Sequence, residues 1–416
     1  MSLLEELKWR GLVKDITDEE LINKAFEEKA TIYCGFDPTA ESLHIGHLVP
    51  IMVLSHFQRY GHRIVALVGG GTGLIGDPSG RNSERQLLTI DDSLRYAEGI
   101  KDQLSRFLDF SDPNKTVMVN NYDWLKTIDV ITYLRDFGKN LSVNYMLAKE
   151  VVASRLETGI SYTEFSYMLI QAIDFLTLYQ RENCKLQLGG SDQWGNITAG
   201  IEMIRKVTGN SDAVGITIPL ITKSDGTKFG KSAGGSLWLD GELTTPYQFY
   251  QYFFNTADAD VINYLKVFTF LSKEEINELE RETLDNPGER KAQKRLAAEL
   301  TKMVHGEEVL EEVLKMCDVL FRGSIRELSA KQLSVCLDGV PNIEINEDLN
   351  IVDALVNVGA AVSKREAREF LRNGSIALNG DKVFDESLMI TKEIAIDEKV
   401  VVVKRGKRNY YLIKLN

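Results

Sequence analysis

An α/β architecture on a parallel sheet follows from three features of the 416-residue sequence. Short β-type runs, TIYCGF (31–36), RIVALVG (63–69), VMVNN (117–121) and KLQLGG (185–190), alternate with stretches of helical periodicity. Strands that alternate with helices pair in parallel and take ligands at their carboxyl ends. From Thr245 the texture turns all-helical, and the last block returns to short β-type runs such as KVVVVKRG.

Composition bounds the problem. At this length two to four domains are expected, and 44% hydrophobic residues can build real cores. No apolar run approaches the roughly 18 residues that span a bilayer. The opening MSLLEELKWRGL reads as an amphipathic helix with acids inside it, not as a signal peptide. Cysteines 34, 184, 317 and 336 lack CxxC spacing, which points to reduced thiols in a cytoplasmic protein without structural zinc. The net charge of −12 argues against nonspecific nucleic-acid binding by the whole surface. Residues 351–416 nevertheless hold 12 Lys/Arg against 9 Asp/Glu, so the tail is the basic part of an acidic chain.

In chain order, TIYCGF meets the turn Asp37-Pro38, and HIGH (44–47) opens a helical run to Tyr60. With Ser42 as N-cap, His44 and His47 share one face near the positive helix end, and Gly46 lets a ligand approach the backbone. Strand, turn and helix N-terminus together make a phosphate-binding construction. Pro50, inside this helix, removes the bond to the carbonyl of Gly46, and a kink or local loosening is expected there. RIVALVG ends in GGGTGLIGDPSG, which contains a literal GxGxxG at 71–76. The turn Asp77-Pro78 follows at once, and Asp91, Asp92 and Glu98 lie in helical sequence rather than at a strand end. Glycines packed into a tight loop are the simpler reading.

Helices are expected at about 90–110, over most of 123–158, at 163–182 and from about 197. Tyr167, Gln171 and Asp174 fall at i, i+4 and i+7, a polar stripe among apolar neighbours that faces a cavity. GGSDQWGN (189–196) puts Asp192 and Gln193 at a strand end. IPLIT (218–222) leads to the polar loop KSDGTKFGKSAGG (223–235). Ser272 and Glu275 form a capping box, Asn286-Pro287-Gly288 breaks that helix, and further helices run to about 320. Residues 337–350, acidic and without clear period, read as a linker.

HIGH and Lys228-Phe229-Gly230-Lys231-Ser232, in this order and on this fold type, resemble the HIGH and KMSKS signatures of class I aminoacyl-tRNA synthetases. Phe and Gly in the middle of the second motif are similar to its tyrosyl branch, and with YCGFDPT the resemblance covers essentially the whole chain. SKREAREFLRNGSIALNG (363–380) resembles an S4-like RNA-binding domain. The resemblance implies a Rossmann-like catalytic domain (1–222), a mobile loop and connector (223–247), a helical anticodon-side domain (248–336), the linker (337–350) and a small α+β S4-like domain (351–416). It implies activation of L-tyrosine by ATP, brought in with Mg2+, to tyrosyl-adenylate, then transfer to tRNA(Tyr). It also implies a homodimer joined near 123–158, with no protein-bound metal or organic cofactor and no membrane.

Residue by residue, the same resemblance assigns Tyr33 and Asp174 to the phenol hydroxyl of tyrosine. Asp77, Tyr167 and Gln171 would hold its amino group, with Gln193 near the carboxylate. Cys34, Gly35, Asp37, Gly46, His47, Gly190 and Asp192 would meet the adenosine. Thr39 and His44 would bind the terminal phosphates, Lys228, Lys231 and Ser232 would come from the loop, and Arg81 and Arg85 would contact pyrophosphate. Lys364, Arg365, Arg368 and Arg372 would form one basic face for RNA phosphates. The alternatives are tryptophan activation on the same fold, against which the Tyr33/Asp174 pair and the tail argue, and a nicotinamide-dependent oxidoreductase using GTGLIG.

Overall fold

The computed structural model describes residues 1–79, 88–157, 159–227, 229–232, 235–322, 324–406 and 409–416. They form two compact units, one of Met1–Thr244 with Tyr252–Val304 and one of Thr245–Gln251 with His305–Asn416. This division differs from the expected one, because residues 252–304 of the expected helical domain belong to the first unit. The helix Asp258–Phe268 packs on the helix Ile45–Arg59 and is absorbed into its core.

The first unit is built on five parallel strands, β1 (Thr31–Phe36), β2 (Ile64–Val68), β3 (Thr116–Asn120), β4 (Cys184–Gly190) and β5 (Val214–Ile218), in the order β3-β2-β1-β4-β5. β2 and β5 are buried along their whole length, as expected of strands covered on both faces. The strand VGITI (214–218) was not among the expected ones; it is short and runs directly into the Ile218–Thr222 segment. Tyr33, Val65 and Leu67 point to one face, where the helices Tyr162–Glu182 and Trp194–Thr208 bury them with Phe175, Ala199 and Met203. The order reverses between β1 and β4, so a crevice opens there at the carboxyl ends.

The first helix after β1 begins later than Ser42. Residues 43–45 instead run extended against 237–239: Leu239 N–H donates to Leu43 O (2.8 Å), Ile45 N–H to Leu237 O (2.9 Å), and His44 bridges Trp238. Ser42 Oγ is spent on Leu43 O and on Gln103 Nε2, so it caps nothing. The helix runs from Ile45 to Arg59 with Pro50 inside it, where proline cannot give the bond to Gly46 O. GTGLIG becomes a single 3-10 turn, Thr72–Leu74, rather than the start of a long helix. The stretch 123–158 is divided into short pieces, Tyr122–Leu125, Val130–Thr132, a π-turn Tyr133–Phe137, Gly138–Asn140, Val143–Leu147 and Glu150–Ala153. Asp129 and Ser142 each cap a new start and so interrupt the period.

In the second unit Asn342–Ile345 is a strand, parallel to Asn409–Leu415, in a sheet with Val400–Arg405, Ile376–Leu378 and Asp381–Lys382. The segment expected as linker thus belongs to this sheet: Asn342-Ile343-Glu344-Ile345 alternates exposed and half-buried, a period of two over only four residues. The helices Ile351–Asn357 and Lys364–Arg372 cover the sheet around Leu355, Leu371, Val401 and Ile413.

Arg10 ties the amino-terminal helix Leu3–Trp9 to the far end of Asp258–Phe268. Only 3% exposed, it donates to Lys266 O (3.0 Å), Thr269 O (2.8 Å), Leu271 O (2.9 Å) and the Glu6 carboxylate (3.0 Å). Removing it strands three carbonyls and leaves the Glu6 carboxylate with the Tyr60 hydroxyl (2.7 Å) but no guanidinium. Arg10→Met is expected to lower the stability of the first unit by about 3 kcal/mol, read from its urea unfolding midpoint. A shift under ~1 kcal/mol would show the clamp to be dispensable.

Candidate active site

A cavity of about 530 Å³ occupies the crevice. Tyr33, Cys34, Gly35 and Asp37 come to it from the end of β1, Gln187 to Gly190 from β4, and Ile218 to Thr222 from the end of β5. Tyr167, Gln171 and Asp174 enter from the helix Tyr162–Glu182, and His44, Gly46, His47, Val49 and Pro50 from the helix after β1. Asp77, Asp192 and Gln193 close it. The expected polar stripe and the expected strand ends therefore meet in one place.

The buried end is organised around Asp174, which is 1% exposed. Trp124 Nε1 donates to its Oδ1 (2.8 Å) and Asn121 Nδ2 to its Oδ2 (2.9 Å). Burial pushes its carboxyl up to about 7 against these two donors, which pull it back down. The Tyr33 hydroxyl, also buried, has no partner among the described residues, and the nearby Asp174 charge adds to the burial that raises its pKa. Gln187, opposite Tyr33 in the β1/β4 register, and Gln171 likewise keep a buried Oε1 without a partner among the described residues. Polar groups left unpaired in a buried cavity are ready for a polar ligand.

A hydrogen-bond chain runs from there along the strand ends. Asn121 Nδ2 also donates to Thr72 Oγ1 (2.9 Å), and Thr72 donates to Asp37 Oδ1 (2.8 Å). The Tyr167 hydroxyl donates to Asp37 Oδ2 (2.9 Å). Burial first, then the charges of Asp37 and Asp77, hold this phenol well above its usual range. Gln193 Nε2 donates to Asp77 Oδ2 (2.6 Å), and burial followed by the Asp77 charge raises Asp192. Four carboxylates thus converge on one cavity, an arrangement that favours a cation. Gly69 permits this closeness: a Cβ there would overlap Asp37 Oδ1 and Thr72 Oγ1.

At the helix start, His44 rather than Ser42 is the N-cap. Its Nδ1 accepts the Gly46 N–H (3.1 Å), and Nδ1 of His47 accepts the His44 N–H (3.1 Å), a reciprocal capping box made of two imidazoles. An amide N–H can only donate, so each neutral ring carries its proton on Nε2. The rings pack 4.0 Å apart, and burial lowers the pKa of His44. Both rings line the cavity, each with only its Nε2–H left to donate.

Other expected residues stand elsewhere. Thr39 is exposed in the turn after β1 and does not line the cavity. Arg81, Arg85 and Lys228 lie outside the described residues, and Lys231 and Ser232 are described by their backbone alone, a two-residue ladder with Gly235–Ser236. In the second unit, Lys364, Arg365, Arg368 and Arg372 do share a helix face, but it is not purely basic. Asp353 pairs with Lys364, and Glu386 accepts from Arg372 (2.7 Å) and forms an ion pair with Arg368 (3.5 Å). Sequence reasoning missed Asn121, Trp124, Thr72 and Gln187. Asn121 closes VMVNN at a strand's carboxyl end and Trp124 follows it, and Gln187 is a lone amide in a buried strand; both signals were readable.

A family model described as tRNA synthetases class I (W and Y) matches residues 24–322, and one described as Tyrosine--tRNA ligase SYY-like C-terminal domain matches residues 332–413. Tyrosine--tRNA ligase of Geobacillus stearothermophilus is 55% identical over 417 residues, and Tyrosine--tRNA ligase 1 of Bacillus anthracis 54%, each match covering 100% of both chains. A C-terminally truncated mitochondrial tyrosyl-tRNA synthetase of Aspergillus nidulans superimposes with a TM-score of 0.70 at 32% identity, over 77% of this chain and 94% of that one. A tryptophanyl-tRNA synthetase of Encephalitozoon cuniculi, at 15% identity and a TM-score of 0.56 over 74% of this chain and 87% of that one, shares the fold.

The raised carboxyl of Asp174 has a stability consequence. Its folded value of about 7 exceeds an unfolded value of about 3.9. The folded state therefore binds the extra proton between these two values. Stability measured against Asp174→Asn should be greatest below pH ~4, fall by ~1.4 kcal/mol per unit toward pH ~7, and level off above. Urea unfolding of both proteins from pH 4.5 to 8.5 tests this; parallel profiles would contradict it.

Proposed function

The chain belongs to the tyrosine-activating class I aminoacyl-tRNA synthetases, and we propose that the cavity between β1 and β4 is where it works. The enzyme is a tyrosine–tRNA ligase: it activates L-tyrosine with ATP to tyrosyl-adenylate and pyrophosphate, then transfers the tyrosyl group to the 3' end of tRNA(Tyr). One observation carries the placement. Asp174, fixed by Asn121 and Trp124 beside the unpartnered Tyr33 hydroxyl, is built to receive a phenol hydroxyl at the buried end. Phenylalanine would fill the same space and leave these groups unpaired.

The tyrosine ammonium then meets Asp77, Tyr167 and Gln171, where the carboxylates converge, and its carboxylate lies near Gln193. The adenosine lies along Cys34, Gly35, Asp37, Gly46, His47, Gly190 and Asp192. The substrate carboxylate, already ionised near pH 7, attacks the α-phosphorus; the bond from that phosphorus to the β-bridging oxygen breaks, and pyrophosphate departs with the electron pair. No side chain need act as nucleophile. His44, Thr39, Lys228, Lys231, Ser232, Arg81 and Arg85 stabilise the charge that grows on the departing group. ATP enters as its Mg2+ complex; among the described residues no three His, Cys, Asp or Glu side chains gather as a metal site. In the second step a terminal ribose hydroxyl of the tRNA attacks the tyrosyl carbonyl, and AMP leaves. Lys364, Arg365, Arg368 and Arg372 serve RNA phosphates.

Pyrophosphate exchange into ATP should require tyrosine and fail with phenylalanine and tryptophan. Absence of exchange with tyrosine would end this reading. His44→Ala should slow adenylate formation roughly 100-fold, while equilibrium binding of tyrosine and of ATP changes little; a loss confined to binding would contradict the assigned role.

The active form is a cytoplasmic homodimer joined through the stretch near 123–158. Val130, Ile131, Leu134, Val143 and Leu156 are each more than half exposed there, on a chain with no described helix long and apolar enough to cross a membrane. Leu134→Glu with Val143→Glu should sediment as a monomer. A dimer that survives both changes would place the contact elsewhere.

A further inference from the structure

Tyr252 does not line the cavity, yet it holds a segment that does. Its hydroxyl oxygen accepts the N–H of Gly230 (3.0 Å), in the middle of the KFGKS stretch. Its ring belongs to an aromatic box around Phe229, which stacks on Phe268 (centroids 5.1 Å, 18°) and meets Tyr264 edge-on at 4.9 Å. From Gly230 the bonding continues inward. Leu237 N–H donates to Gly230 O (2.9 Å), and Ile45 N–H, at the first position of the HIGH helix, donates to Leu237 O (2.9 Å). Gly230 has φ +80°, and a Cβ there would overlap Ile45 Cγ2, so the two signature segments touch where only glycine fits.

We propose that Tyr252 is a positioning residue for adenylate formation. It sets Phe229–Gly230 with its ring and hydroxyl, and through Leu237 it locks that segment to Ile45, at the turn that carries His44 and His47. Charge stabilisation in a transition state depends on placement to a fraction of an ångström. A residue that fixes the two charge-stabilising segments relative to one another should act on the rate and leave tyrosine binding alone. This inference rests on the adenylation chemistry proposed above.

Tyr252→Phe keeps the ring and removes the acceptor. Single-turnover adenylate formation at saturating tyrosine and ATP should fall about fivefold, the worth of one hydrogen bond, with the tyrosine Kd unchanged. Phe229→Ala should also slow the step at constant tyrosine Kd, and Phe229→Met, apolar and of similar length, should restore most of the rate. The double variant Tyr252→Phe/Phe229→Ala should be slowed less than the product of the single effects, because both act on one segment. A Tyr252→Phe enzyme at the wild-type rate, a loss of rate and tyrosine affinity together, or Phe229→Met as slow as Phe229→Ala would overturn the proposal. Absence of exchange by the wild type would instead remove the adenylation reading itself.

Discussion

A carboxylate buried beneath the cavity sets the terms for what surrounds it. Asp174 cannot lie inside the protein unless both its oxygens are occupied, and the donors come from Asn121 and Trp124, at and just beyond the end of β3. Asn121 reaches Thr72, after β2, and Thr72 reaches Asp37, after β1. One polar chain therefore fixes the turns after three strands against a helix that crosses their ends. The sheet brings these turns near each other; the chain sets their spacing to the precision that chemistry needs.

The parts of the fold that a periodicity can express were legible in the residues. TIYCGF, RIVALVG and KLQLGG read as buried strands because nearly every side chain in them is covered, and Tyr167, Gln171 and Asp174 read as one face because a helix repeats them there. What was not legible depends on partners distant in sequence. Ser42 looks like the better N-cap than His44, and loses because Leu43 and Ile45 pair with 237–239, nearly two hundred residues away. Asn342–Ile345 looks like a linker because its alternation is too short to register, and becomes a strand because Asn409–Leu415 offers it an edge. The stretch 123–158 has helical composition but several caps of its own, and local caps win where no long apolar face demands continuity.

The second unit sets charge against charge. Its helix Lys364–Arg372 presents the basic face the residues predicted, yet Glu386 sits between Arg368 and Arg372, and Asp353 holds Lys364. These exposed pairs contribute little to stability. They keep the long side chains gathered on one side of the helix.

The imidazole capping box ties protonation to backbone structure. A proton added at Nδ1 of His44 or His47 would displace the amide that the nitrogen accepts, so charging either ring means uncapping the first turn of its helix. The helix start thereby acts as a lock on the tautomer: acidification is resisted by the cost of fraying Ile45–His47, in addition to the desolvation that already disfavours the cation at His44. The main-chain amides of His44 and Gly46 thus fix which ring nitrogen of each histidine is left to donate.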